Sequence, residues 1–347
     1  MKKFNYSLVK DKIWDDNTIN NLNKVYEENT KFKLSLEKYP KELETLIDVS
    51  KLKAIQISSM INQLGVSDFI VKQLIEKERT PRWYEDKEVA GYIDAFNIID
   101  EQYDTISITP SFILELHKVL FSYLSDSAGG EYRNDYNNIY DKNSKDWDII
   151  FKSLPAGNTP KALEELCEEY NKAISEEIAN PLILASMFIH DFLCIRPFKD
   201  GNGRISRLLT TLLLYKSGYF IGKYIPLEAK YANNMYLYNG GIHDSQIGWH
   251  ENNNDITPFL NYLLSIMLSA YNDFEEKVEL ISQMDNTIEI VRKVIKTKIG
   301  AFTKQEIQEY VPFLNSTDIE KNLKKLCKLE EIRKENSGRY ACYIKLK

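Results

Sequence analysis

Apolar residues recur at three- and four-residue intervals along most of the chain and strand-like alternation is scarce, so helices dominate the prediction. Asp15-Asp16-Asn17 offers N-caps for an amphipathic helix that runs toward Lys38 and ends before Pro40. A second covers Lys41–Leu64, with Leu43, Leu46, Leu52, Ile55 and Ile61 among its apolar positions. Helical spacing also covers Glu88–Ile99, Ser111–Leu124 (opened by Thr109-Pro110), Lys161–Ser175, Leu182–Ile195 and Pro258–Leu280. Ile205–Tyr215 is apolar all round, with Leu208, Leu209, Leu212, Leu213 and Leu214, which predicts the buried centre of the fold. Between Gly129-Gly130 and Pro155–Pro160, Asn138–Tyr140 and Asp148–Phe151 predict a short hairpin around the polar stretch Asp141–Asp146.

The C-terminal part reads differently. Asn286–Thr297, Lys304–Val311 and Asp318–Lys328 predict three short helices, the last two opened by the capping boxes Thr303-x-x-Glu306 and Thr317-x-x-Glu320. Strands at Ile332–Lys334 and Tyr340–Ile344, around Asn336-Ser337-Gly338, complete the pattern of a winged helix-turn-helix. The expected architecture is all-α, mainly helical with a small β-hairpin, plus this C-terminal unit. It divides into an N-terminal helical region (1–85), a core (86–280) and the tail (281–347).

Composition narrows the function classes. With 347 residues, 43% hydrophobic and 28% charged, the chain is long enough for two or three domains and is not of disordered composition. Four cysteines without a CxxC pair encode neither a disulfide framework nor a zinc site. The N-terminus, MKKFNYSLVKDK, has no signal-peptide core, and the apolar run near 181–189 is too short for a bilayer, so a cytoplasmic protein without membrane contact is expected. The net charge of −6 hides an asymmetry, because from Gln283 onward 14 Lys and Arg face 9 Asp and Glu. DNA binding through residues 283–347, with Lys321, Lys324, Lys325 and Lys328 touching phosphates, is therefore one reading of the tail, and protein contact is the other.

The informative stretch is Cys194-Ile-Arg-Pro-Phe-Lys-Asp-Gly-Asn-Gly-Arg-Ile-Ser-Arg207. Gly201 and Gly203 permit positive φ and close backbone approach just before a strongly helical run, whose first turn has free N–H groups and the positive end of the helix dipole. Arg204 and Arg207 lie on one side of that turn, where cations oppose the dipole unless an anion sits between them. Asp200 would repel such an anion unless a divalent cation intervenes, which points to a nucleotide with Mg²⁺. Each feature alone also has an ordinary structural use as punctuation, ion pair or cap; their concentration in fourteen residues favours the ligand site. The spacing is not that of the Walker loop.

Pro197-Phe-Lys-Asp-Gly-Asn-Gly-Arg-x-x-Arg207 resembles the signature loop of the Fic (Fido) family, His-x-Phe-x-Asp/Glu-Gly-Asn-Gly-Arg-x-x-Arg. Leu208–Tyr224 and Gly248-Trp-His-Glu are similar to one large bacterial branch, so the resemblance covers roughly residues 40–280. It implies a helical fold that binds ATP and Mg²⁺ and transfers AMP to a Ser, Thr or Tyr hydroxyl of a target protein, self-modification included. By the same resemblance Asp200 would hold the metal. Asn202 with the Gly201 and Gly203 backbone would cradle the α- and β-phosphates, Arg204 would stabilise leaving-group charge, and Arg207 would bind the γ-phosphate. Phe198 would anchor the loop, the hairpin would be the flap that aligns the target by strand addition, and Tyr236 would stack on adenine. Oligomerisation is left open.

Two positions depart from that pattern. Arg196 stands where the family has the histidine that takes the proton from the attacking hydroxyl. Arginine stays protonated and cannot do so, a loss worth on the order of 10² to 10⁴ in rate. A nucleotide-binding but inactive regulator acting through the tail is the corresponding alternative. His190, six residues earlier and about 9 Å away along a helix, is out of reach and reads as a packed residue, as does His117. Upstream, Ser58 and Asn62 occupy the place of the family's inhibitory helix, where a Glu would pair with the last signature arginine; Asn62 carries no charge, so weak autoinhibition is expected.

Overall fold

The computed structural model describes residues 2–125, 129–140, 149–336 and 341–346. The first five helices are α1 (Asp16–Lys38), α2 (Pro40–Ile61), α3 (Asp68–Ile75), α4 (Tyr84–Gln102) and α5 (Pro110–Leu120). The hairpin β1 (Ile139–Tyr140) and β2 (Ile149–Phe151) follows, then α6 (Thr159–Ser175), α7 (Pro181–Ile195) and α8 (Asn202–Lys216). The body closes with α9 (Ile221–Tyr224), α10 (Leu227–Asn233), α11 (Met235–Gln246) and the long α12 (Thr257–Ile281). The structure is thus mainly helical, as the spacing predicts. The helices α3, α9, α10 and α11, of 4 to 12 residues, have no counterpart in the sequence reading.

Burial explains the centre. Leu208, Leu209, Leu212, Leu213 and Leu214 of α8 are at most 1% exposed, and α7, α4 and α5 pack around that helix. Asn180 caps α7 by accepting from the Leu182 N–H, with Pro181 in the first turn. The apolar cluster runs from Tyr6 to Ile281, so residues 1–85 and 86–280 share one core. One buried carboxylate ties this body together: Asp191 of α7 accepts from Trp249 Nε1 at 2.6 Å and from Tyr6 Oη at 3.0 Å. Among the described residues no helix is long and apolar enough to cross a membrane.

In the hairpin, Ile139 pairs with Phe151 and Tyr140 with Ile149, with an irregularity between them. The expected connecting stretch, Asp141–Asp146, and Asp148 lie outside the described residues.

The tail has its own apolar cluster, including Ile290, Val294, Phe302, Ile319, Leu323 and Tyr343. Its elements are α13 (Thr287–Thr297), β3 (Phe302–Thr303), α14 (Lys304–Tyr310), α15 (Ser316–Lys328), β4 (Ile332–Lys334) and β5 (Cys342–Lys345), with antiparallel strand order β3-β5-β4. Strand β3 was not expected: two residues are too few for an alternation pattern, and its pairing partner is forty residues away. Thr303 and Glu306 form the expected capping box. The second expected box is displaced, for α15 starts two residues earlier and Asn315 caps it by accepting from the Asp318 N–H. Ser337, Gly338 and Tyr340 lie outside the described residues. Lys277 of α12 joins body to tail, donating to the Tyr310 carbonyl at 2.9 Å with its ammonium 3.0 Å from that residue's ring centroid.

Replacing Asp191 leaves two buried donors without an acceptor. Asp191→Ala is expected to lower unfolding free energy by about 3 kcal/mol, measured by urea denaturation.

Candidate active site

The connection between α7 and α8 is a turn with two left-handed residues. Arg196 closes α7 at φ 49°, and Gly201 opens α8 at φ 79°. Glycine suits the second position, since a Cβ at Gly201 would lie 2.9 Å from the Phe121 ring. Arg196 adopts the same region at a cost of ~1 kcal/mol, so its surroundings must hold it there.

They do so through buried polar groups. The Asn202 side chain closes the loop on itself, accepting from the Phe198 N–H at 3.1 Å and donating to the Phe198 carbonyl at 2.7 Å. Asn202 therefore shapes the cradle, and its amide is already committed to backbone rather than pointing to a phosphate. Phe198 is fully buried, as expected of an anchor, and stacks on the His117 imidazole at 3.7 Å between ring centroids. Because His117 Nδ1 accepts from the Gly130 N–H at 2.9 Å, its Nε2 carries the proton and donates to the Asp200 carbonyl at 3.1 Å. The structural reading of His117 holds, with the addition that it supports the loop. Burial lowers its pKa to about 4.

Arg133 lies 5% exposed beneath the turn and donates to the carbonyls of Arg196 (2.7 Å), Leu154 (2.6 Å) and Ile195 (3.3 Å). Asn137, at the root of the hairpin, donates to the carbonyls of Phe198 and Lys199 at 2.8 and 3.0 Å and accepts from the Arg196 guanidinium at 3.0 Å. The hairpin, the turn and Arg196 are therefore one hydrogen-bonded unit.

The two arginines of α8 have different partners. Arg204, 4% exposed, donates to Glu88 of α4 at 2.9 Å and to Asp200 at 3.1 Å; Glu88 also accepts from the Tyr84 hydroxyl at 2.9 Å. The anion expected beside Arg204 is thus supplied, in this state, by the chain itself. Arg207, 6% exposed, donates to the Ser58 hydroxyl of α2 at 3.1 Å and makes no ion pair among the described residues. Asn62 does not reach it; its amide donates to the Ser58 carbonyl at 2.6 Å. The first turn of α8 has no side-chain cap, although the Gly201 N–H donates to Asp200 at 2.6 Å. An uncapped helix start beside a buried, carboxylate-free guanidinium is chemically an anion receptor.

Tyr236 is 87% exposed, whereas Tyr238 on the same helix lines a small cavity with Ser206 and Arg207. His190 is fully buried, with its imidazole 3.8 Å from Cys194 Sγ and its pKa lowered to about 4 by burial, as expected for a packed residue. Sequence reasoning missed Glu88, Arg133, Asn137 and Tyr238. Glu88 and Arg204 are 116 residues apart, and no local pattern distinguishes such a glutamate from a solvated one.

The Fic/DOC family model matches residues 107–214, a segment that includes the turn. Proteins named protein adenylyltransferase Fic from Drosophila melanogaster and Drosophila sechellia are 28% identical over 193 residues, which is 52% of this chain and 34% of theirs. The chain thus spans about a third of the length of these relatives. A Fic family protein from Desulfovibrio desulfuricans has the same fold at TM-score 0.62 and 19% identity, covering 96% of this chain and 97% of that one. A Fic domain-containing signaling protein from Bacteroides thetaiotaomicron matches at TM-score 0.61 and 23% identity, covering 73% and 94%.

Two outcomes follow from this geometry. Gly201→Ala is expected to lower stability by ~1–2 kcal/mol in urea unfolding, from the left-handed backbone alone. Because His117 is held neutral when folded, the unfolded chain binds its proton from about pH 6.5 downward while the folded chain resists to about pH 4. Stability from this group is complete above that window and is lost as pH falls through it. The urea midpoint should drop between about pH 7 and pH 5, and drop less in His117→Gln.

Proposed function

We propose that this chain is a Fic-type protein adenylyltransferase scaffold that binds ATP at the start of α8. With a competent base it transfers AMP to a Ser, Thr or Tyr hydroxyl of a protein and releases pyrophosphate. The observation that carries this reading is the uncapped first turn of α8 beside buried Arg207, which has a hydroxyl and no carboxylate for a partner. The adenylyltransferase relatives support it.

In this reading the backbone of Gly201–Gly203 receives the phosphates, and Arg207 exchanges its Ser58 contact for a terminal phosphate. Arg204 keeps Glu88 behind it while facing the leaving group. The residues fit a phosphate-bound Mg²⁺: Asp200 offers one carboxylate whose side chain is 73% exposed, and such an ion takes its other ligands from phosphate and water. When bound, it would neutralise phosphate charge. Among the described residues no group of three His, Cys, Asp or Glu could hold a metal by itself. The compartment in this reading is the cytoplasm, consistent with four free cysteines.

Arg196 limits the chemistry. Its guanidinium remains protonated, is held by Asn137, and cannot accept a proton from an attacking hydroxyl. Transfer by this chain is therefore weak while nucleotide binding persists. The tail, read as a winged helix, serves protein contact in preference to duplex DNA. On α15, Lys324 lies 2.7 Å from Glu320 and Lys321 lies 3.6 Å from Asp318, so half of the expected phosphate-binding lysines are paired within their own helix.

Calorimetry with ATP and Mg²⁺ should show one site per chain. With labelled ATP, Arg196→His should raise labelling of the chain or of lysate proteins by about 10² to 10⁴; a folded Arg196→His protein that labels nothing would sink the transferase reading. In a gel-shift assay at low salt the full chain should leave duplex DNA unshifted, and a salt-dependent shift would restore the DNA reading.

A further inference from the structure

Beside Arg207 lies a small cavity lined by Ser206, Arg207, Thr210, Tyr231, Tyr238 and Tyr262, with Ile189, Phe259 and Leu263 completing its wall. Two lining residues carry buried polar atoms that find no partner among the described residues: Arg207 Nε and Tyr262 Oη. Each of these residues is only 6% exposed. A guanidinium N–H or a phenol left unpaired in such a place gives up its hydration with nothing in return.

We infer that this cavity is a binding site for one ordered water molecule, which accepts from Arg207 Nε and bridges to Tyr262 Oη. Size decides between the candidate occupants. At about 10 Å³ the cavity has the room that a single water centre needs, whereas a halide ion, which the donor-rich lining would also suit, is larger. A wholly apolar cavity of this size would stay dry, but the lining supplies the polar partners an internal water requires. No carboxylate lines the cavity. Buried Glu228, on α10, senses Arg207 electrostatically without forming an ion pair, and its carboxyl is raised by desolvation.

The water has a consequence for the turn. Ser58 holds one terminal nitrogen of Arg207 and the water holds Nε, while the other terminal nitrogen lies 3.6 Å from where a Cβ of Gly203 would stand. The guanidinium is therefore fixed from behind with one edge facing the helix start, whatever ligand that start receives. Arg207 is oriented by α2 on one side and by α12, through Tyr262 and the water, on the other.

The test is a crystal structure of the full chain at about 1.8 Å resolution, free of nucleotide. The expected result is one spherical density peak within about 3.2 Å of both Arg207 Nε and Tyr262 Oη, with no anomalous signal there after a bromide soak. A dry cavity overturns the inference, and a bromide peak overturns it in favour of an anion. In Tyr262→Phe, which keeps the ring and removes the hydroxyl, the peak should vanish. A peak that persists unchanged in that variant would show that Tyr262 does not hold the water. Loss of ATP binding in a separate assay bears on the proposed function and leaves this result untouched.

Discussion

Positive charge gathered at the wrong end of a helix dipole is the constraint on which the rest of this structure depends. Arg204 and Arg207 stand in the first turn of α8, both nearly dry, where the dipole disfavours them. Arg196 and Arg133 add two more guanidinium groups at the preceding turn. In a low-dielectric interior such charges require partners, and the fold supplies four different kinds. Arg204 has two carboxylates, Arg207 a hydroxyl, Arg196 an amide oxygen, and Arg133 a set of backbone carbonyls. The weakest of these provisions is at Arg207, whose partner is an uncharged hydroxyl.

Distant elements hold the turn in place. α2 brings Ser58, α4 brings Glu88, α5 brings His117, and the hairpin root brings Asn137. Each contact reaches a different part of the Arg196–Arg207 stretch. The turn is consequently held from several sides, while the Asp200 side chain stays 73% exposed. That is the preorganisation an anion site needs, since donors already in position need not be reoriented on binding.

The body and the tail have separate apolar clusters, yet Phe313 and Met284 pack against both. Lys277 strengthens the junction and is itself altered by it: burial lowers its pKa to about 7, with nearby Lys53 and Lys298 acting in the same direction. Lys53 belongs to α2, the helix that carries Ser58 to Arg207.

Local patterns along the chain determined the long helices, the leucine-rich centre, the hairpin and the turn with its two glycines, because periodicity and backbone freedom are properties of neighbouring residues. The same is true of the one capping box that formed, at Thr303, whereas the displaced start of α15 depended on Asn315 competing for the same first turn. What the turn's side chains do was decided only in three dimensions. Asn202 pairs with Phe198 because the turn closes tightly enough to bring them together. Arg204 and Arg207 differ because α4 presents a glutamate and α2 a serine, from positions 116 and 149 residues away. No local signal encodes those distances; packing of α4 and α2 around the central helix sets which arginine meets a carboxylate and which meets a hydroxyl.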